Sequence, residues 1–144
     1  MNTKKTKSGE CDKILCLTDF SEASQHALRW ATDMAATLQA HLTILYSYRL
    51  LESKIEVIYR KKQTETEALQ KFLQWETELL VNKKVDYEFR SEVGFMTDRV
   101  AAFVDQNAVC MLVIDNKMIN DNKETIQQLI ENLRVPMVIV PSLN

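Results

Sequence analysis

The sequence predicts an α/β fold in which a single domain is built on a doubly wound, five-stranded parallel sheet with helices on both faces. The first observation is that five strand-like runs are separated by segments with helical periodicity, and such alternation is typical of a parallel sheet. The second is the uninterrupted apolar run from Val109 to Ile114, as expected for a strand buried on both faces. The third is the length of 144 residues, for which one domain is the default.

The first strand and the first helix are predicted from residues 13–38. The apolar run 14–17 forms the strand, and the polar residues after it turn the chain into the helix. Ser21 is the predicted N-cap, because a hydroxyl there can accept a hydrogen bond from a free helix amide. The residues predicted to face the sheet recur at helical spacing: Ala27, Trp30, Ala31, Met34, Ala35 and Leu38.

A second strand is predicted over residues 42–46, and the stretch 52–81 that follows contains neither glycine nor proline. Its apolar residues form two clusters separated by the wholly polar part 60–67, so that one long helix and two shorter helices both fit the pattern. Because residues 60–67 are polar on every side, we expect them not to pack on the sheet. The segment is then either mobile or a docking surface for another protein.

Two further helix–strand units complete the chain. Residues 85–92 alternate between apolar and polar side chains, which predicts a half-exposed strand at a sheet edge. A turn at Gly94 leads into a helix over residues 95–106, and the central strand 109–114 is followed by a last helix at 123–133 and a last strand at 135–140. The residues predicted to face inward on these helices are Val100, Phe103, Val104, Ile126, Leu129, Ile130 and Leu133.

Charge and hydropathy argue against two classes of partner. The net charge of -2 argues against nucleic acid, whose binding proteins usually carry a basic surplus. The longest apolar run, residues 108–114, is far shorter than the ~20 residues of a membrane span. Residues 1–12 are polar and lysine-bearing, so we expect a disordered tail and no signal peptide, followed by a domain at 13–144. The predicted location is cytoplasmic.

The three cysteines are predicted to be reduced thiols, because no export signal accompanies them. Cys16 and Cys110 lie in apolar runs on strands that should be neighbours, where cysteine usually behaves as a small hydrophobic residue. Cys11 falls in the predicted tail, where we expect it to be exposed and without a partner.

The polar loop that begins at Asp115 contains no glycine. Ligands of open α/β sheets bind beyond the carboxyl ends of the central strands, so nucleotide phosphates would lie at this loop. Phosphate cradles need close approach of backbone amides, which glycine permits. Asp121 followed by Glu124 predicts instead a self-capped start of the last helix, and both carboxylates would repel phosphate there.

Over about residues 12–141 the chain resembles the universal stress protein family. The resemblance is carried by the segment 14–24, by the strand 42–45, by Gly94 before the third helix and by the proline-flanked segment 135–141. It implies the sheet order 3-2-1-4-5 of adenine nucleotide alpha hydrolase-like folds. The alternating third strand then lies at one edge of the sheet and the fifth strand at the other.

Nucleotide-binding members of this family end the fourth strand with Gly, two residues, Gly, nine residues, Gly, and then Ser or Thr. In this sequence Asp115 stands at the first glycine and Met118 at the second, and Lys123 and Glu124 stand at the closing pair. All three glycines and the hydroxyl are therefore missing. The comparison predicts a degenerate nucleotide-binding site.

Two functions remain open for this site. The first is a universal stress protein of the non-nucleotide-binding type, acting without a cofactor as a regulatory or interaction module in stress response. The alternative is an ATP- or AMP-binding protein in which Lys117 or Lys123 replaces the phosphate loop. In that case the resemblance implies that Asp19 lies beside the nucleoside and that Ser47 meets the base.

Enzymatic activity is the least favoured function, and we assign no catalytic residue. Asp19 and Asp115 end adjacent predicted strands and could share a divalent metal, which carboxylates favour. Acidic residues at strand ends more commonly cap the following turn. We therefore predict neither a metal site nor an enzyme.

The last strand predicts a homodimer. Met137, Val138, Ile139 and Val140 carry none of the charges that usually protect an edge strand from pairing with another chain. The prolines at its two ends are tolerated on an edge strand and limit pairing to these residues. Two copies can meet antiparallel across a two-fold axis, and the family resemblance implies the same arrangement.

Overall fold

The structure is a computed structural model that describes residues 11–50 and 57–142. Within these residues it has five parallel strands in the order β3-β2-β1-β4-β5, which confirms the predicted fold and sheet order. The elements are β1 (Lys13–Leu17), α1 (Glu22–Leu38), β2 (His41–Tyr48), α2 (Val57–Leu79), β3 (Tyr87–Val93), α3 (Met96–Gln106), β4 (Val109–Asp115), α4 (Asn116–Asp121), α5 (Lys123–Asn132) and β5 (Met137–Val140).

The sheet has a separate hydrophobic core on each face. Successive side chains of a strand point to opposite faces, so Ile14 and Cys16 of β1 pack under α1 and α2, whereas Leu15 and Leu17 pack under α3 and α5. All four side chains are buried. The two cores confirm that the sheet is doubly wound. No helix in the described ranges is both long and apolar enough to cross a membrane.

Most helix faces follow the predicted pattern, with two exceptions. Ser21 caps α1 as predicted, because its hydroxyl accepts a hydrogen bond from the amide of Ser24 at 3.1 Å. Leu38 and Ile130, both predicted to face inward, are exposed. Leu38 lies in the last turn of α1, where the chain reverses through Gln39 in a left-handed conformation. Ile130 is one position beyond Leu129, which α5 buries together with Ile126.

The long polar segment belongs to a single helix, α2, over the residues that the structure describes there. Most of residues 60–67 are exposed, as expected for a segment that does not pack on the sheet, but one side chain reaches it: the hydroxyl of Tyr48 on β2 donates a hydrogen bond to the Glu65 carboxylate. Lys61 forms an ion pair with the same carboxylate at 3.2 Å. Docking of another protein on this helix stays a prediction, and residues 52–56 of the predicted segment lie outside the described residues.

Two predictions were wrong: that the disordered tail reaches residue 12, and that Cys11 and Cys110 are reduced thiols. Residues 1–10 lie outside the described residues, but the Asp12 carbonyl accepts a hydrogen bond from the amide of His41 at 2.9 Å. Cys11, expected to lack a partner, is joined to Cys110 by a disulfide with the two Cα atoms 5.2 Å apart. Cys16 is a free thiol buried in the core, as predicted. The pairing was missed because Cys11 was assigned to the tail.

Candidate functional site

A cleft of about 310 Å³ opens where β1, β2 and β4 end. Its lining includes Asp19, Ser47, Arg49, Gly94, Met118 and Asn122. Two of the predicted site residues, Asp19 and Ser47, therefore lie together in the cleft. Lys117 lines a neighbouring cleft beside the start of α1, and Lys123 is exposed and lines neither of the two.

Asp115 and Asp19 are connected by a buried hydroxyl that sequence reasoning missed. Ser24 Oγ lies 2.7 Å from Asp19 Oδ1 and 2.7 Å from Asp115 Oδ2. Asp115 has 0% of its surface exposed, whereas Asp19 reaches solvent. The sequence offered one signal for this contact. Ser24 is a small hydroxyl residue three positions after the Ser21 cap, on the side of α1 that faces the sheet.

A serine hydroxyl stands between the two carboxylates that could share a divalent metal. The Ser24 hydroxyl lies between them, 2.7 Å from an oxygen of each, and its single proton can be donated to only one of them at a time. A cation that bridged the two carboxylates would have to displace this hydroxyl. In residues 11–50 and 57–142, no group of three or more His, Cys, Asp or Glu side chains is placed to hold a metal ion. The arrangement is that of a hydrogen-bonded network which connects β1, α1 and β4.

The predicted phosphate loop is a short helix, α4, that begins directly after β4. Asp115 is its N-cap, and Asp115 Oδ1 accepts a hydrogen bond from the Met118 amide at 2.9 Å. The predicted capping box of Asp121 and Glu124 was wrong, since α5 begins after Asn122 without a side-chain cap. Asp115 caps a helix six residues before the predicted cap, and Asp121 consequently falls at the end of α4.

The charge of Lys117 is already balanced by acidic side chains. Its Nζ lies 2.9 Å from an Asp121 oxygen and 4.0 Å from an Asp19 oxygen, and the hydrogen bond to Asp121 raises the pKa of Lys117. Burial alone would raise the pKa of Asp19, but hydrogen bonds from Ser21 and Ser24 together with the nearby Lys117 lower it. Asp19 therefore stays ionised at the cleft.

The residue after Asp19 has an unusual backbone conformation. Phe20 has φ of 62°, a left-handed conformation that is uncommon for a bulky residue and costs on the order of 1–3 kcal/mol. Its ring lies 5.1 Å from that of Tyr46 and 5.2 Å from that of Trp75, measured between centroids, and this packing stabilises the turn. Within this turn, Asp19 Oδ1 accepts a hydrogen bond from the Ser21 amide at 2.9 Å.

The far wall of the cleft is formed by the connection between β3 and α3. Gly94 has φ of 137°, which favours glycine, and its amide donates to the Tyr48 carbonyl at 2.8 Å. This confirms the predicted turn. The Arg49 guanidinium lies 4.3 Å from the centroid of the Phe95 ring, a cation–π distance, and covers this wall.

Comparison with known proteins gives one family and a set of similar folds. The sequence model of the universal stress protein family matches residues 10–141. The universal stress protein UspA from Lactobacillus plantarum has a TM-score of 0.76 at 15% identity, covering 92% of this chain and 99% of that chain. Among curated proteins, no sequence match is found.

Two further similar structures are complexes with a nucleotide. A universal stress protein from Archaeoglobus fulgidus in complex with dAMP has a TM-score of 0.60 at 17% identity, covering 90% of this chain and 96% of that chain. A universal stress protein in complex with cAMP has a TM-score of 0.65 at 19% identity, covering 92% and 98%. At these identities the likeness establishes the fold.

Proposed function

The chain belongs to the universal stress protein family, and we propose that it is a member of the non-nucleotide-binding type that acts as a homodimeric regulatory or interaction module in stress response. The observation that supports the absence of nucleotide binding is the position of Asp115. Its carboxylate accepts the hydrogen bond of an amide at the start of α4, where the glycine-rich loop stands in nucleotide-binding members of the family.

A phosphate at this place would face a fixed negative charge. Backbone amides at a helix N-terminus attract anions, but here the Met118 amide already donates to Asp115. Glu124 adds a second carboxylate in the first turn of α5. Each of these acidic side chains lies at the start of a helix, where the helix dipole would otherwise attract an anion such as phosphate.

Side chains also occupy the space that glycine would leave open. Met118, at the position of the second glycine, is buried, and its sulfur lies 3.6 Å from Ser24 Oγ. The Asn122 side chain donates to the Met118 carbonyl at 2.8 Å and lines the cleft. The backbone therefore lacks the open approach that a phosphate cradle requires.

Nucleotide binding through another arrangement is the second candidate. The cleft of about 310 Å³ with Asp19 and Ser47 in its lining favours it, as do the relatives described in complex with cAMP and dAMP. The pairing of Lys117 with Asp121 opposes it, since that lysine would have to leave a carboxylate to meet a phosphate.

We expect isothermal titration of the purified protein with ATP and with AMP to give no binding with Kd at or below about 100 µM, which corresponds to roughly -5.5 kcal/mol. The reason is the carboxylate of Asp115 at the start of α4. The dAMP-binding protein from Archaeoglobus fulgidus, titrated with dAMP under the same conditions, is the positive control. Saturable heat with a tighter Kd contradicts the proposal, and its loss in Lys117→Ala or Lys123→Ala then identifies the phosphate contact.

The homodimer part of the proposal is supported by the free edge of β5. In the described part of the chain, β5 pairs with β4 through Met137 to Val140, and no strand pairs with its other edge. Ile139 is 49% exposed, whereas Val140 is buried. An apolar side chain on an unpaired edge strand is suited to pairing with a second copy.

We expect light scattering after size exclusion to show a dimer for the wild type at micromolar concentration and a monomer for Ile139→Lys. The substitution places a charge at the exposed position of β5 and leaves the buried side of the strand unchanged. Ile58→Lys is the matched control, because Ile58 is 82% exposed on α2, at the other end of the sheet. A monomeric wild type, or a dimer that persists in Ile139→Lys, would contradict the proposed homodimer through β5.

A further inference from the structure

We propose that Cys11 and Cys110 form a reversible thiol–disulfide couple, which exchanges with low-molecular-weight thiols and disulfides of the glutathione class. When the couple is oxidised, it ties the segment before β1 to β4. The site lies at the amino-terminal edge of the sheet, whereas the cleft lies where the strands end. The inference is therefore independent of the proposed function.

The positions of the two cysteines make the bond geometrically accessible. Cys11 comes two residues before β1 and Cys110 is the second residue of β4, the strand that pairs with β1. Their Cα atoms are 5.2 Å apart, within the range of about 4.4–6.8 Å that disulfides span. Neither strand has to move for the bond to form.

Contacts other than the disulfide hold Cys11 in place. The Asp12 carbonyl accepts from the His41 amide at 2.9 Å, which extends the pairing with β2 to the residue before the start of β1. Lys13 Nζ donates to Asn107 Oδ1 at 2.6 Å, which connects the start of β1 to the residue that precedes β4 by two positions. These bonds persist in the reduced protein, so the two thiols remain neighbours and can pair again.

The ladder between β1 and β4 is interrupted at Cys110. Lys13 pairs with Val109 and Ile14 pairs with Met111, so Cys110 has no partner residue on β1, while farther along Leu15 pairs with Leu112. An extra residue of this kind bends the strand locally and re-aims its side chain. The irregularity falls at the residue whose sulfur meets Cys11.

The third cysteine, Cys16, differs from the other two in its burial. Cys11 and Cys110 are both partly exposed, so a small thiol or disulfide can reach them, whereas Cys16 is completely buried. Burial raises the pKa of the Cys16 thiol far above its ordinary value, which makes its reactive thiolate scarce. Exchange is therefore confined to the one pair.

The exchange is balanced. The thiolate of one cysteine attacks a sulfur of an oxidised glutathione-class disulfide, forms a mixed disulfide and releases one thiolate of that compound. The second cysteine then attacks the protein sulfur of the mixed disulfide, closes the Cys11–Cys110 bond and releases the other small thiolate. Two protein thiols are oxidised and one small disulfide is reduced to two thiols.

The full-length protein should be equilibrated in mixtures of reduced and oxidised glutathione, quenched with acid, unfolded, alkylated and weighed by mass spectrometry. We expect the number of alkylated cysteines to rise from one, the free Cys16, to all three as the reduced fraction increases, in a single transition. Three labels in every mixture, one label in every mixture, or a bond that involves Cys16 or a second chain each overturn the proposal.

Thermal unfolding gives a second readout of the same bond. The disulfide closes a loop with a sequence separation of 99, so we expect the oxidised wild type to have a Tm higher than the reduced protein by about 10 °C. The difference should vanish in Cys11→Ser and in Cys110→Ser and remain in the control Cys16→Ala. A difference that survives Cys11→Ser, or that is absent in the wild type, contradicts the assignment.

Discussion

Replacement of Asp115 with alanine is expected to lower the free energy of unfolding by about 3 kcal/mol, through the loss of a helix cap and of hydrogen bonds to buried groups. The carboxylate caps α4 through the Met118 amide at 2.9 Å and binds Ser24 Oγ at 2.7 Å. Since Asp115 has no exposed surface, water cannot replace these bonds without entering the core.

Urea denaturation of Asp115→Ala and Asp115→Asn separates the hydrogen bonds from the charge. Asparagine keeps an oxygen that can accept from Met118 and an amide that can donate to Ser24, so we expect it to cost about 1 kcal/mol or less. A cycle with Ser24→Ala should show that the effects of the two alanine substitutions are not additive, because the residues share one bond. Equal losses for alanine and asparagine, with additive behaviour, would contradict the network.

Replacement of Phe72 with alanine is expected to lower the free energy of unfolding by about 4 kcal/mol, a typical cost for a buried aromatic ring. Phe72 is 4% exposed and attaches α2 to the sheet. Its ring stacks on that of Phe89 with centroids 4.6 Å apart and an interplanar angle of 7°. The hydrogen bond from Tyr87 to Glu76 connects the same helix to β3.

Leu73→Ala is the matched control for this substitution, because Leu73 is the next residue on α2 and is 47% exposed. We expect it to cost about 1 kcal/mol, since half of its apolar surface is already in water. The Phe72→Ala protein should also show a change in the fluorescence of Trp75, which packs beside Phe20 in the same aromatic group. Similar losses for the two variants would show that α2 is not held by the Phe72 ring.

The elements whose residues all satisfy one local pattern were predictable from the sequence. The second half of the apolar run of β4, from Leu112 to Ile114, is buried between two layers of helices, and Ser21 caps α1 as its position before the helix requires. The sheet order followed from the resemblance in the opening and closing segments, and β3 lies at an edge as its alternation predicts. In each case hydrophobic period and local hydrogen bonding favour the same structure.

Where two local patterns competed, the sequence predicted the wrong one. Asp115 and Asp121 are both suitable caps, and the contacts of Asp115 with the Met118 amide and with Ser24 favour a helix that begins at the first of them. Leu38 and Ile130 fit a helical stripe, but their exposure depends on where the helices meet the sheet. Glu65 fits a solvated face, yet β2 ends with Tyr48 opposite it.

The sequence by itself determined the fold, the strand order by way of the family resemblance, and the absence of the glycines that a phosphate loop requires. Only the tertiary structure decided which distant side chains meet: Ser24 between Asp19 and Asp115, and Cys11 on Cys110. The reason is physical, since periodicity and capping act over a few residues, whereas these contacts join residues 91 and 99 positions apart. Such contacts depend on strand register, which no local pattern specifies.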